Sequence, residues 1–169
     1  MCPIYNNSFI IPSIVQFSRN IMSNNKVGKV IQLFISIKDE NLETQTIKQE
    51  TIELDTNGVI NDKFYGKDPQ RSILIGSLES YKLASDSGIE MPYGSLGENI
   101  LMDYSPYHLN VGDQIRIGDL TLEITQNCTL CKGLSKIDPK APKLLKAHRG
   151  IFAKTVTDGH IKISDPIYI

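Results

Sequence analysis

Gln114-Ile115-Arg116-Ile117-Gly118-Asp119-Leu120-Thr121-Leu122-Glu123-Ile124-Thr125 is the stretch that decides the fold class. On both sides of Gly118-Asp119 apolar and polar residues alternate, and isoleucine, leucine and threonine recur where a pleated, half-buried surface favours them. A two-residue loop with glycine first suits a type II′ turn, whose twist matches that of the strands it joins. The segment therefore reads as a β-hairpin.

Strand signals recur on either side of it. Downstream, Pro142 in a first-turn position, with Leu144, Leu145 and His148 behind it, predicts a short helix ended by Gly150. A second hairpin is expected over residues 150–157, turning at Asp158-Gly159 and returning through Ile161 and Ile163 to Ile169. Upstream, Ser77 caps a helix of about three turns that carries Glu79 in its first turn and closes at Gly88. Ser72-Ile73-Leu74-Ile75 is a short strand, and residues 44–54 read as one strand with a wet face, followed by a turn at Asn57-Gly58. Residues 29–37, β-branched and aromatic, read as a buried strand. Many short strands and two modest helices predict a mostly β domain: a closed or partly closed β-barrel with a few short peripheral helices.

At 169 residues the chain suits one core that buries about 70% of the unfolded surface. Eighteen Lys and Arg against 19 Asp and Glu leave a charge of -1, so no broad cationic surface for nucleic acid or a membrane is expected. Hydrophobic residues at 40% and charged residues at 22% exclude disorder and coiled coil. Three cysteines are too few and too odd for a disulfide framework, which points to a reducing, cytoplasmic setting. No apolar run approaches the ~20 residues of a transmembrane helix. Residues 10–17 are apolar, but Pro12 interrupts them, no basic residue precedes them and no small-residue cleavage site follows, so no signal peptide is expected. Residues 1–21 read as a poorly ordered N-terminal extension, with Met22 as an alternative start, and residues 22–169 as the barrel domain.

Three clusters could carry chemistry. Cys128-Thr129-Leu130-Cys131 directly follows the hairpin, where a rigid sheet can position a reactive group beside an open loop. A closed zinc site needs four ligands, and this chain offers one Cys-x-x-Cys, a distant Cys2, and His108, His148 and His160 without paired spacing. A thioredoxin-like dithiol needs a helix N-terminus in a βαβ setting, which is missing here. Two readings stay open: small buried hydrophobes, or a reactive thiolate favoured by Lys132 and Lys136.

The second cluster, residues 57–71, contains Lys63, Lys67 and Arg71. These suit phosphate, Arg71 best of all through its planar fork; the alternative is a solvated loop. The third is Gly94-Ser95-Leu96-Gly97-Glu98-Asn99. Its glycines permit positive φ and amides turned towards an anion, or it is a plain turn. Glu98 and Asn99 could orient a ligand, or Glu98 could cap or pair with a cation, and Arg149-Gly150 is ambiguous in the same way. No dinucleotide fingerprint is present, and fewer than four cysteines argues against a self-contained iron–sulfur cluster, so electrons for any redox chemistry must come from elsewhere.

In order, Asn61-Asp62-Lys63-Phe64-Tyr65-Gly66 with Arg71, then Gly94 through Asn99, Leu109-Asn110-Val111-Gly112-Asp113, the run from Gly118 to Cys131, and Arg149-Gly150-Ile151-Phe152-Ala153 resemble the MOSC domain, the C-terminal domain of molybdenum cofactor sulfurases, in its short stand-alone form. The resemblance implies a β-barrel that binds a molybdenum cofactor (molybdopterin). Cys131 would be metal ligand or sulfur carrier, and Cys128 an extra thiol able to resolve a persulfide. Lys63, Arg71, Gly97, Glu98, Asn99 and Arg149 would contact the cofactor. The implied activity is reduction of N-hydroxylated small molecules with electrons from a separate reductase. The alternatives are a persulfide carrier loaded by a cysteine desulfurase and a non-catalytic ligand-binding barrel. Two positions depart from the family pattern: Phe64 stands where histidine is frequent, and Leu130 stands where proline precedes the family cysteine.

Overall fold

The β-branched run near the start becomes β1 (Lys26–Lys38), the organising strand of a computed structural model that describes residues 25–41, 43–129 and 133–169. Register shifts between Lys26 and Gly28 and between Val30 and Gln32 bend β1, which lets one strand serve several partners. Those partners are β2 (Thr44–Gln49), β6 (Ile100–Met102) and β11 (Pro166–Tyr168). With β5 (Ile73–Ser77), β7 (Gln114–Ile117), β8 (Leu120–Asn127) and β9 (Ile151–Thr155), the order is β11-β7-β8-β9-β5-β6-β1-β2, and the β11–β1 pairing closes a seven-stranded barrel with β2 outside it. β5 and β6 are parallel, joined by a crossover that contains α1 (Leu78–Asp86). A three-stranded sheet joins β10 (Gly159–Lys162), β3 (Thr51–Asp55) and β4 (Gly58–Val59). The expected mostly β barrel with short peripheral helices is what forms.

Alternation along the strands divides the core. Leu33, Ile100 and Met102 point into the barrel with Ile73, Ile75, Ile115, Ile117 and Leu122. Their neighbours Phe34 and Leu101 face outward, where they meet Tyr81 and Ala84 of α1 together with Leu134, Ala141 and Leu145. Helix α1 starts as its sequence requires, with the Ser77 hydroxyl accepting from the Glu79 amide at 3.2 Å. The 114–125 hairpin also forms as expected: Ile117 pairs with Leu120, and Gly118 takes φ 58° while Asp119 stays out of the positive-φ region, as a type II′ turn requires.

Three expectations need correction. Residues 44–54 form two strands in different sheets. β2 is exposed and pairs with β1, then the chain bends at Glu50 so that β3 can bury Ile52 and Leu54 against the barrel core and pair with β10. The closing hairpin does not form either. Ile151, Phe152 and Ala153 are all buried, and β9 lies between β8 and β5, while β10 pairs with β3 and β11 with β7 and β1. A strand buried on both sides needs two neighbours, and the turn at Asp158-Gly159 delivers the chain to another sheet. The helix expected from Pro142 to Gly150 ends early as α3 (Ala141–Leu144), and an unanticipated α2 (Leu134–Ile137) precedes it. Each spans about one turn, too short for a helical period to show, and each is held by a buried anchor, Leu134 or Ala141. The expected N-terminal extension lies outside the described residues. Among those described, no helix is long and apolar enough to cross a membrane.

Candidate functional site

The loop between β4 and β5, the segment before β6, the outer strands β1 and β2 and the ends of β8 and β9 border one cleft of about 740 Å³. Its organising group is Asp62. The carboxylate is 7% exposed; it accepts from the Ser36 amide at 2.7 Å, from the Phe64 amide at 2.8 Å and from the Asn99 carboxamide at 3.1 Å. One side chain therefore ties the 61–68 loop to β1 and to the segment before β6. The Lys63 amide adds a bond to the Ser36 carbonyl at 2.6 Å.

The pinned loop presents cations to the cleft. Lys63 Nζ donates to Thr44 Oγ1 at 2.7 Å and sits 4.6 Å from the centre of the Phe64 ring, and desolvation holds its pKa below the usual lysine range. Lys67 Nζ lies 5.5 Å from the same ring. The Arg71 guanidinium rests 4.8 Å from the centre of the Phe152 ring, at the end of a short 3-10 turn capped by Asp68. Among the described residues, no carboxylate lies within ion-pair distance of Lys63, Lys67 or Arg71; the ion pairs there form elsewhere. Asp68 also lines the cleft, with its Oδ1 taken by the Gln70 amide at 2.9 Å. The floor is apolar, made by Leu74, Phe152 and the buried Cys128, which pack together. This combination of unneutralised cations, flat aromatic faces and a soft sulfur suits a planar anionic ligand.

The MOSC domain family matches over residues 61–168, a span that begins at this pinned loop. The chain belongs to the MOSC domain family. Its fold is similar to that of the YuaD protein from Bacillus subtilis (TM-score 0.72, 18% identity, 83% of this chain and 93% of that one). It also resembles YiiM from Geobacillus stearothermophilus (0.64, 15%, 84% and 74%) and YiiM from Escherichia coli (0.60, 16%, 83% and 68%). At these identities the likeness is one of fold. No curated protein matches the sequence.

Of the residues singled out in the MOSC sequence, Lys63, Arg71, Gly97, Asn99 and Cys128 all line the cleft. Asn99 does so with its carboxamide already engaged: Oδ1 accepts from the Leu74 amide at 3.0 Å while Nδ2 donates to Asp62. Glu98 lies behind the cleft wall, 1% exposed. It accepts from the Tyr81 hydroxyl at 2.5 Å and the Gly94 amide at 3.0 Å, and burial raises its pKa. Gly94 and Gly97 have positive φ, 95° and 79°, as their sequence suggested. Their amides nonetheless turn inward, Gly94 to Glu98 and Gly97 to the Gly94 carbonyl at 3.0 Å. The acceptor seated in this glycine loop is the protein's own Glu98 carboxyl group, so the loop supplies shape to the MOSC cleft while the lysines and Arg71 supply charge.

Arg149 lines a separate hollow of about 290 Å³. It donates to the Thr129 carbonyl at 2.5 Å and to the Pro142 carbonyl, which ties the end of β8 to α3. The metal-ligand expectation at Cys131 falls outside the described residues. Asp62, Thr44 and Phe152 were not assigned roles from the sequence. Asp62 lay within a quoted motif, but its task depends on Ser36, 26 positions away, a separation no local pattern reveals.

Proposed function

We propose that this MOSC protein binds a molybdenum cofactor in the cleft and reduces N-hydroxylated compounds with electrons from a separate reductase. The observation that carries the reading is the convergence of Lys63, Lys67 and Arg71, unpaired with carboxylates among the described residues, on one large cleft. The residues fit the group. The cleft volume of about 740 Å³ falls in the small-molecule range, the cations suit the cofactor's phosphate, and the exposed Phe64 ring suits a flat pterin. Bound there, the cofactor supplies two-electron chemistry at molybdenum, and a thiolate at Cys131 is the soft ligand such a metal favours.

The protein's own groups bind and orient. Arg71, seated on Phe152, holds its fork for bidentate contact; Lys63, anchored by Thr44, adds a second charge; Asp62 and Asn99 fix the loop that carries both. The net reaction breaks one N–O bond, consumes two electrons and two protons and releases water. Phe64 leaves no imidazole at that position to move a proton, so the protons come from another group or from solvent.

Metal and pterin analysis of protein from a cofactor-competent host tests the proposal. Native protein is expected to carry both. Arg71→Ala should lower pterin occupancy roughly tenfold to a hundredfold, the range for removing hydrogen bonds to a charged group. Cys131→Ala should lose molybdenum, and a panel of N-hydroxy compounds with a chemical reductant should then separate native from variant. Equal molybdenum in all three proteins refutes the assignment. Added sulfur on Cys131 after incubation with a cysteine desulfurase, without molybdenum, identifies a sulfur carrier instead.

A further inference from the structure

Charge is unevenly spread along this chain. Residues 133–149 hold five cations and one carboxylate, whereas the rest of the sequence holds 13 against 18. A nearly neutral molecule thus carries a segment of net charge +4 on a remainder of -5. Lys136, Lys140, Lys143 and Lys146 are all exposed, and no described carboxylate lies within ion-pair distance of them. Lys143 and Lys146 converge with Arg149 on the 290 Å³ hollow, so part of the charge is gathered in a concave place. Asp138, the segment's one acid, is turned to the Lys140 amide at 2.7 Å. Ile137, 39% exposed, adds an apolar contact among the cations.

We infer that this face is a docking surface for a protein with an acidic patch. A long nucleic acid or an anionic membrane would extend past the patch and the cationic cleft beside it onto a remainder whose summed charge is -5, where repulsion outweighs attraction. The single ring in residues 133–149, His148, is half-buried and already packed edge-on against Tyr107 at 5.4 Å between ring centres, and each helix is a single turn, too short to lie in a groove. A globular partner with its own compact acidic patch meets the cations alone and can cover Ile137. Gly133 lines the molybdenum-cofactor cleft proposed above, and Thr129 and Arg149 line the hollow, so the partner sits beside that cleft. Resting on that reading, the partner is the protein that delivers electrons to it.

Fluorescence anisotropy of a labelled peptide that alternates Asp and Glu with Leu tests the surface in the full-length protein. Lys140→Glu/Lys143→Glu/Lys146→Glu is compared with Lys26→Glu/Lys48→Glu/Lys162→Glu, an equal charge change at exposed sites elsewhere. Salt-dependent binding is expected, weakened at least tenfold by the first triple variant and less than threefold by the second. Equal losses in both variants, no binding by the native chain, or tighter binding of a single-stranded oligonucleotide or phosphatidylserine vesicles would overturn the inference. Arg71→Ala separates the two proposals: it should lose pterin and keep peptide binding, whereas the first triple variant should keep pterin.

Discussion

Replacing Asp62 with alanine removes the group that holds the cationic loop in place. Its carboxylate accepts bonds from the Ser36 amide at 2.7 Å, the Phe64 amide at 2.8 Å and the Asn99 carboxamide at 3.1 Å. The Phe64 amide can turn to water, but those of Ser36 and Asn99 are buried. Stranding a buried polar group costs about 1–3 kcal/mol, so two such groups and the lost charge-assisted bonds come to about 3–5 kcal/mol. In a chain of this length 1 kcal/mol corresponds to about 2–4 °C, which places the loss in Tm at roughly 6–20 °C. Scanning calorimetry of native protein, Asp62→Ala, Asn99→Ala and the double variant is the assay. Because the two residues share a bond, the double variant should lose less than the sum of the singles, by about 0.5 kcal/mol or more. A Tm for Asp62→Ala within about 2 °C of native, or strict additivity, would refute the idea of a single pin.

Glu98 makes stability depend on pH. Burial raises its carboxyl above the ordinary 4.5, so the folded chain binds this proton more tightly than the unfolded chain. Its contribution is therefore fully present below about pH 4.5 and lost as pH rises through the raised value. Thermal unfolding from about pH 4 to about pH 8 should show this downward slope in native protein and not in Glu98→Gln; parallel curves would count against it. Gly150 has φ 134°, and a Cβ there would lie 2.8 Å from Leu74 Cδ1 and 3.0 Å from the Ile75 carbonyl, so Gly150→Ala should cost about 2–4 kcal/mol in denaturant titration. Gly66→Ala, with φ 71° and open space around it, isolates backbone strain alone and should cost about 1 kcal/mol.

What the sequence revealed was local chemistry. The 114–125 hairpin was legible because glycine-first turns and alternation act over a few residues, and α1 was legible from its serine cap. Pairing between distant segments was not. The buried side chains of β9 indicate burial without naming the neighbours that achieve it, and the bend at Glu50 follows from two sheets competing for one segment. The site divides in the same manner. Lys63, Arg71, Gly97, Asn99 and Cys128 meet in one cleft as their motifs suggested. Glu98 and Asn99, adjacent in sequence, face opposite sides of the wall, since alternate side chains diverge in an extended segment. Arg149 belongs to another hollow because its fork is occupied by the Thr129 and Pro142 carbonyls.

The seam between β1 and β11 bears on synthesis. Lys26 pairs with Tyr168 and Lys29 with Pro166, so the staves meet only after almost the whole described chain has left the ribosome. Until then the nascent sheet keeps two raw edges, at β1 and β7, whose unpaired amides and carbonyls invite another chain. Slow translation or truncation ahead of residue 166 would therefore prolong a sticky, open-sided intermediate, and aggregation during expression should track the time taken to deliver the three residues of β11 rather than the stability of the finished barrel.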